Sequence, residues 1–180
     1  MPLIATTYCK GAGGSTTTAF GLAAVAPAAM RPVLVECDPA GGDLMRRHRL
    51  AATPSLVDLA AAGRERTMRP GPDTGGFEVF NAVEQQVRLR DRVVDVVVAP
   101  PGGAQARAAL AELTRPANGV LTTGQRLVLA DCGRWDPASV ARPLLAAASV
   151  VLVLVRARTD ELAHLREHLG DLVDLASGRL

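Results

Sequence analysis

The sequence contains almost no lysine. Lys10 is the only one in a chain of 180 residues, and arginine supplies the rest of the 20 lysine and arginine side chains. A chain that avoids lysine but keeps one in a glycine-rich stretch indicates a role for a compact ammonium group that a planar guanidinium does not fill. The net charge of +2 does not by itself indicate that the chain binds a polyanion.

Cysteine and long apolar runs are also scarce. The three cysteines have no C-x-x-C spacing, which argues against a disulfide framework or a zinc site, so we interpret Cys9, Cys37 and Cys132 as small buried residues, with redox sensing as the alternative. The longest apolar run, residues 146–155, is too short to span a bilayer, and no secretory signal is recognisable. We therefore expect one domain, located in the cytoplasm.

A glycine-rich turn is the most informative feature of the chain. Residues 2–8 predict a strand, and the alanine-rich residues 15–30 predict a helix that Pro27 ends or perturbs. Between them stands Cys9-Lys10-Gly11-Ala12-Gly13-Gly14-Ser15-Thr16-Thr17-Thr18. Small residues allow backbone N–H groups to converge on an anion, and the start of a helix adds the positive end of its dipole. This context predicts a phosphate-binding site.

Strands and helices alternate along the rest of the chain. Further strands are predicted over residues 33–37, 93–99, 125–130 and 150–155, and further helices over 43–50, from 55, over 104–113, over 137–148 and from 159. We expect Asp43, Ser55 and Thr159 to cap their helices. Residues 63–76 predict an exposed loop, and residues 77–89 are ambiguous between helix and strand. The alternation predicts a doubly wound α/β domain with a mainly parallel sheet and helices on both faces.

The turn resembles that of the ParA/MinD family of deviant Walker-A ATPases, whose pattern is Lys-Gly-Gly-x-Gly-Lys-[Ser/Thr]-Thr. Lys10 matches the signature lysine of that family, and Thr16 matches the hydroxyl on the metal side. Ser15 stands where the family has a second lysine, which in ordinary P-loops contacts the β- and γ-phosphates. The resemblance extends from Leu3 to about residue 175. Family members usually continue through further elements that complete the adenine pocket, so we expect a short C-terminal end.

The resemblance implies a site for ATP or ADP with Mg²⁺. The loop residues Lys10, Gly11, Ala12, Gly13, Gly14, Ser15, Thr16 and Thr17 would then bind the nucleotide. Asp131 ends an apolar run in the manner of a Walker-B motif, so it and Thr16 would hold the metal. Asp38, in Glu36-Cys37-Asp38-Pro39, would orient the attacking water, or would simply cap the following turn. Lys10 would cross a nucleotide-bound homodimer to contact the partner's phosphates, and Lys10 and Asp38 are the expected catalytic residues.

Ser15 leaves two functions open. A charge-assisted hydrogen bond contributes roughly 1.5–3 kcal/mol, so loss of the lysine predicts about tenfold to hundredfold weaker binding. Hydrolysis is expected to be slow or absent, because one preorganised donor can contribute ~10²–10³ in rate. One function is a nucleotide-dependent dimer switch that positions cargo, a septum or a secretion or pilus machine. The other is a pseudo-ATPase that acts as a scaffold or regulator without turnover.

Other patterns have ordinary explanations beside their functional ones. Gly11-x-Gly13 followed by Glu36 is a partial dinucleotide fingerprint, but its third glycine is missing. The basic residues 46–49 indicate a solvated helix face, with cargo or nucleic acid as the weaker alternative. His164 and His168 lie one helical turn apart without a third ligand, and Trp135 is interpreted as a core residue. The last helix has an apolar stripe of leucines and acidic polar residues, so membrane targeting is not evident.

Overall fold

A computed structural model of the chain describes residues 2–11, 13–68, 76–122 and 125–178. In chain order the strands and helices are β1 (Leu3–Tyr8), α1 (Ser15–Val25), β2 (Val33–Glu36), α2 (Leu44–His48), α3 (Leu56–Met68), α4 (Gly76–Val83), β3 (Gln85–Leu89), β4 (Arg92–Val97), α5 (Gly103–Leu113), β5 (Val128–Arg134), α6 (Arg142–Ala147), β6 (Val150–Leu154) and α7 (Thr159–Ser177). A short 3-10 helix, Ala28–Met30, follows α1.

The strands of the described residues form one six-stranded sheet in the order β3-β4-β2-β5-β1-β6. Strands β1, β2, β4, β5 and β6 pair in parallel, and β3 pairs antiparallel with β4 at one edge. Strand β5 lies between β1 and β2, with Asp131 in register with Thr6 on one side and with Glu36 on the other. The carboxyl ends of the five parallel strands therefore lie along the same side of the sheet, which we call the carboxyl edge.

Helices cover both faces of the sheet, which confirms the predicted doubly wound α/β class. Alternate residues of each strand point to opposite faces, so Leu34 packs with α1 and α2, whereas Val33 and Val35 pack with the other helices. The first face is lined by small residues of α1, such as Ala19 and Ala23. The second face has a larger core formed by side chains of α3 to α7. None of the helices in the described ranges is long and apolar enough to cross a membrane.

The loop predicted over residues 63–76 is wrong in its first part, because α3 continues to Met68. Gly63 lies inside this helix and faces the side chain of Asn118. A Cβ at this position would come within 2.6 Å of the Asn118 Oδ1, so the close packing explains a glycine there. The arginine and glutamate residues that follow are good helix formers. Residues 69–75 lie outside the described residues. The ambiguous stretch 77–89 consists of the end of α4 followed by β3.

Two predicted helices are too long. The helix expected over residues 15–30 ends at Val25. Pro27 follows two residues later and ends the helix as predicted, because proline cannot continue it. The helix expected over residues 137–148 begins only at Arg142, because a proline is best tolerated in the first turn and Pro143 takes that place. Asp136 instead organises a turn by accepting the backbone N–H of residue 138 at 2.8 Å.

One of the three predicted helix caps is confirmed. Ser55 Oγ accepts the N–H of Val57 at 3.2 Å, and Asp58 accepts the N–H of Ser55 at 2.7 Å, so the two side chains form a reciprocal cap at the start of α3. Asp43 precedes α2, but its side chain makes no capping hydrogen bond. Thr159 is the first residue of α7 rather than its cap, and that prediction is wrong.

The apolar stripe predicted for the last helix is only half correct. Leu172 is buried in the core together with Leu175, and Leu165 packs partly against it. Leu162 and Leu169 are about half exposed instead. The face of α7 that packs on the sheet is therefore rotated relative to the predicted stripe.

Candidate functional site

The glycine-rich turn leaves the end of β1 and enters α1 at the carboxyl edge of the sheet. Gly14 precedes the helix with a φ of 79°, which glycine adopts without strain, and Gly11 has a φ of 73°. A Cβ on Gly14 would meet nothing within 4 Å, so the turn is open at that position. A Cβ on Gly13 would lie 2.6 Å from the Cβ of Tyr8, so the backbone approaches β1 closely there. Ala12, a predicted nucleotide-binding residue, lies outside the described residues.

The carboxylate of Asp131 lies at the centre of the site and is 1% exposed. Ser15 Oγ donates a hydrogen bond to its Oδ1 and Thr16 Oγ1 donates one to its Oδ2, and the oxygen–oxygen distance is 2.5 Å in both. Ser15 is also buried and lies 2.8 Å from the hydroxyl of Thr6. Because Ser15 has one hydroxyl proton and the carboxylate only accepts, Thr6 acts as the donor in that second contact. The first two residues of α1 are thus joined to β5 through one carboxylate.

Asp38 lies beside Asp131 on the loop after β2. It accepts the N–H of Ala40 at 2.8 Å, so the expectation that it caps its turn is correct in the structure. Its carboxylate packs against Gly133, whose φ is 62° and where a Cβ would lie 2.3 Å from the Asp38 Cγ. Burial raises the pKa of Asp38, and the negative charge of Asp131 raises it further, although the Ala40 hydrogen bond opposes this.

Glu36 has a structural role that the sequence did not reveal. Its buried carboxylate accepts three backbone N–H groups, from Asp43 at 2.6 Å, Leu44 at 3.0 Å and Ala99 at 3.0 Å. Glu36 therefore caps α2 in place of Asp43 and ties the end of β2 to the end of β4. Burial raises its pKa despite the three hydrogen bonds. Because both oxygens are engaged, Glu36 is not available to a ribose hydroxyl, which removes the basis of the dinucleotide alternative.

Tyr8, the only tyrosine, belongs to the site and was not predicted. The pKa of its hydroxyl is raised by burial first, and then by the charges of Asp38 and Asp131, while Arg134 opposes the shift. Its carbonyl accepts the N–H of Trp135 at 2.7 Å, so the only tryptophan and the only tyrosine are neighbours at this edge. Only the register of β1 with β5 places these residues together, and that register is not visible in the sequence.

Two predicted loop residues point to solvent. Lys10 and Thr17 are both exposed, so neither is held by the interior of this chain. Exposure leaves the Lys10 ammonium accessible to a second molecule. The residues that the structure does bring together are Ser15, Thr16 and Asp131, with Asp38 next to them.

The donor set at Asp131 fits magnesium. Thr16 and Asp131 offer a hydroxyl and a carboxylate, the hard oxygen ligands that Mg²⁺ prefers. Among residues 2–11, 13–68, 76–122 and 125–178, no group of three or more His, Cys, Asp and Glu side chains could hold a metal ion. Magnesium bound here would therefore need phosphate oxygens and water to complete its shell.

The remaining candidates have structural explanations. Cys9, Cys37 and Cys132 are buried free thiols, and burial raises the pKa of each. His164 and His168 each lie near an acidic residue of the same helix, Glu167 and Asp171 respectively. These histidines are therefore surface residues of α7, as expected.

A separate polar cavity of about 630 Å³ lies at the opposite edge, near the amino ends of β2, β4 and β5. The buried guanidinium of Arg126 pairs there with Glu84 and Asp95. We call this the amino-edge cavity. None of its lining residues in the described part of the chain belongs to the glycine-rich turn, so the features that predict phosphate binding lie at the carboxyl edge instead.

No family model matches the sequence, and the comparison with curated proteins gives no match. Solved structures do match. The VpsO kinase domain matches with a TM-score of 0.64 and 16% identity over 97% of this chain and 79% of that chain. A ParA family ATPase from Chlorobium tepidum matches with a TM-score of 0.65 and 12% identity, over 98% and 67%. Cobyrinic acid a,c-diamide synthase from Mycobacterium smegmatis, with an ATP analogue and magnesium, matches with a TM-score of 0.65 and 20% identity, over 98% and 67%.

These matches establish the fold. The chain has a six-stranded, mainly parallel sheet with helices on both faces, and this fold matches that of ParA/MinD-type P-loop ATPases. At 12–20% identity the likeness concerns the fold alone.

Proposed function

We propose that this protein binds ATP or ADP with Mg²⁺ at the glycine-rich turn and acts as a nucleotide-dependent dimer switch in cellular positioning, with slow or absent hydrolysis. The observation that carries the proposal is the convergence of Ser15 and Thr16, at the start of α1, on the Asp131 carboxylate in the middle of β5. A structural relative, the M. smegmatis synthase, holds an ATP analogue and magnesium in the same fold.

Each part of the turn has a role in this proposal. The backbone N–H groups of Gly13, Gly14 and the first turn of α1 bind phosphate oxygens, assisted by the helix dipole. Thr16 and Asp131 hold the metal, which supplies positive charge that neutralises the phosphates. Asp38 accepts a hydrogen bond from the attacking water. Burial raises the pKa of Asp38, so its carboxylate is more basic than that of an ordinary aspartate. A more basic carboxylate is a better acceptor for a proton of the attacking water.

Slow hydrolysis follows from the position of Ser15. The family's second lysine would place an ammonium on the phosphates, whereas the Ser15 side chain is 3% exposed and donates to Asp131. Its hydroxyl is therefore committed inside the protein. Without a preorganised cation from this position, we expect the rate to be lower by ~10²–10³ than in a complete site.

A pseudo-ATPase scaffold is the second candidate, and the same hydrogen bonds favour it. Ser15 and Thr16 tie the turn to Asp131 without help from a ligand, so the turn is stable on its own. A protein of this kind would keep its fold and its partner surface without turnover.

Light scattering with and without Mg-ATP separates the two candidates. The switch predicts a shift from monomer to dimer with Mg-ATP that Lys10→Ala abolishes, whereas the scaffold predicts the same mass in all samples. Arg158→Ala is a matched control, because it also removes one exposed positive charge, and Arg158 pairs with Asp160 of α7 rather than with a residue of the turn. A phosphate-release assay on the same samples tests hydrolysis, and turnover at the rate of a complete P-loop would contradict the proposed impairment.

A further inference from the structure

An arginine from a distant part of the chain contacts the glycine-rich turn. A Cβ on Gly11 would lie 2.6 Å from Nη2 of Arg156, so the guanidinium lies directly against the backbone of the turn. Arg156 follows β6, which pairs in parallel with β1 and has Leu154 in register with Tyr8. The residues that follow β1 and β6 are therefore neighbours, although Gly11 and Arg156 lie 145 positions apart in the sequence.

A buried carboxylate fixes the position of Arg156. Glu161, in the first turn of α7, is 2% exposed and receives the Arg156 Nε at 2.6 Å, its Nη2 at 2.5 Å and its backbone N–H at 3.0 Å. These hydrogen bonds lower the pKa of Glu161, so it is a carboxylate at neutral pH. The pair holds the guanidinium in one orientation beside Gly11.

The guanidinium keeps donors for a second acceptor. An arginine side chain has five N–H groups, and Glu161 engages one on Nε and one on Nη2. No described residue accepts a hydrogen bond from Nη1, and the Arg156 side chain is 49% exposed. Planar guanidinium groups are well suited to phosphate oxygens, because parallel N–H groups can bind two oxygens at once.

We infer that Arg156 binds the phosphate groups of the ligand in the glycine-rich turn and supplies, from the same chain, a positive charge that Ser15 does not. Glu161 acts as the positioning residue that holds the guanidinium against the turn. This inference rests on the proposed function, since it assigns a further residue to the same phosphate site. It adds a source of charge that does not need the Lys10 of a second molecule.

Calorimetric titrations with Mg-ADP and with inorganic pyrophosphate test the inference. Arg156→Ala is expected to weaken binding of both by about tenfold to a hundredfold, because the lost contact is to phosphate. Arg158→Ala removes the same charge two residues away, where Arg158 pairs with the exposed Asp160, and it should leave both affinities within about twofold of wild type. Arg156→Lys should recover part of the affinity.

Glu161→Gln tests the positioning role, because the two explanations predict opposite changes in the affinity for pyrophosphate. The substitution makes the chain more positive, so a purely long-range attraction would strengthen pyrophosphate binding. If Glu161 instead orients Arg156, binding weakens severalfold in spite of the added positive charge. Arg156→Gln keeps a hydrogen bond to Glu161 and serves as the charge-removing variant if Arg156→Ala does not fold, which melting curves would show.

The outcomes separate this inference from the proposed function. Wild type that binds both ligands, with Arg156→Ala binding as tightly as Arg158→Ala, overturns the role of Arg156 alone. A loss of Mg-ADP affinity with unchanged pyrophosphate affinity also overturns it, because the contact would then be to the nucleoside. Wild type that binds neither ligand overturns both proposals.

Discussion

The hydroxyl of Ser15 donates a hydrogen bond to the carboxylate of Asp131, with 2.5 Å between the two oxygens. The residue that replaces the second lysine of the family pattern is thus a buried link between α1 and β5 rather than an exposed polar group. The resemblance predicts that this position lacks a phosphate contact, and the structure adds that its side chain makes an internal hydrogen bond. Two substitutions of Ser15 separate these effects, because one removes the internal hydrogen bond and the other restores a positive charge.

Ser15→Ala removes the internal link. Hydrogen bonds to charged groups contribute about 1.5–3 kcal/mol, so the free energy of unfolding should fall by about that amount. Asp131 keeps its bond from Thr16, so the protein should still fold. Urea denaturation followed by the fluorescence of Trp135 measures the change. A free energy of unfolding equal to that of wild type would show that the bond does not stabilise the turn.

Ser15→Lys restores the charge of the family pattern. The ammonium is too large for the buried space between Thr6 and Asp131 and should turn outward to the phosphates. Relative to Ser15→Ala, we expect Mg-ATP to bind about tenfold to a hundredfold more tightly, with phosphate release faster by ~10²–10³. Calorimetry and a phosphate-release assay measure the two effects. Equal affinity of the two variants would mean that position 15 does not face the phosphates.

The hydroxyl of Tyr8 reports the charges of the site. Its pKa is raised above the ordinary value of about 10 by burial and then by Asp38 and Asp131. Asp38→Asn should therefore lower the pKa of Tyr8, and Asp43→Asn, a more distant charge, should lower it less. Because the chain has one tyrosine, a difference titration near 295 nm follows this group alone.

The same shift predicts a pH dependence of stability. The pKa of Tyr8 is higher in the folded than in the unfolded chain, so the folded state holds the proton more tightly. Its stabilising effect is complete below about pH 10 and is lost as the pH rises through the folded value. Tyr8→Phe removes this contribution, so its stability should depend less steeply on pH in that range. An identical pH profile for wild type and Tyr8→Phe would contradict the shift.

Glu36 is expected to be one of the most important polar residues for stability. Glu36→Ala leaves three backbone N–H groups without their acceptor, and those of Leu44 and Ala99 belong to buried residues. A buried donor without a partner costs about 1–3 kcal/mol, so the free energy of unfolding should fall by about 2 kcal/mol or more. Glu65→Ala, on the exposed face of α3, is the control and should change it by about 0.5 kcal/mol or less. Similar values for the two variants would refute the assigned role.

The sequence predicted the elements whose pattern is local. The apolar run before the turn, the glycine residues and the small residues of α1 are contiguous, so β1, the turn and α1 followed from them. Asp131 was predicted because it ends an apolar run in the expected order of motifs, although β5 begins later than predicted and continues past Asp131 to Arg134. The same local reasoning correctly gave Ser55 as the cap at the start of α3, and the structure adds the reciprocal hydrogen bond to Asp58.

The sequence did not predict contacts that depend on the order of strands. Arg156 reaches Gly11 only because β6 pairs with β1, and Glu36 accepts the N–H of Ala99 only because β2 lies next to β4. Burial on α7 was wrong for Leu162 and Leu169 because helical spacing gives a stripe but not its orientation on the sheet. What the sequence missed therefore concerns how strands and helices pack against one another rather than the pattern within one of them.

The backbone amide resonances of the turn test the central claim most directly. In a chain of 18.7 kDa, a two-dimensional ¹⁵N correlation spectrum follows each residue while Mg-ADP is added. We predict saturable shifts that are largest for Gly13, Gly14, Ser15 and Thr16, with smaller ones at Asp131. Shifts confined to the amino-edge cavity around Arg126, or a spectrum that does not change with Mg-ADP, would contradict the assignment of phosphate binding to this turn.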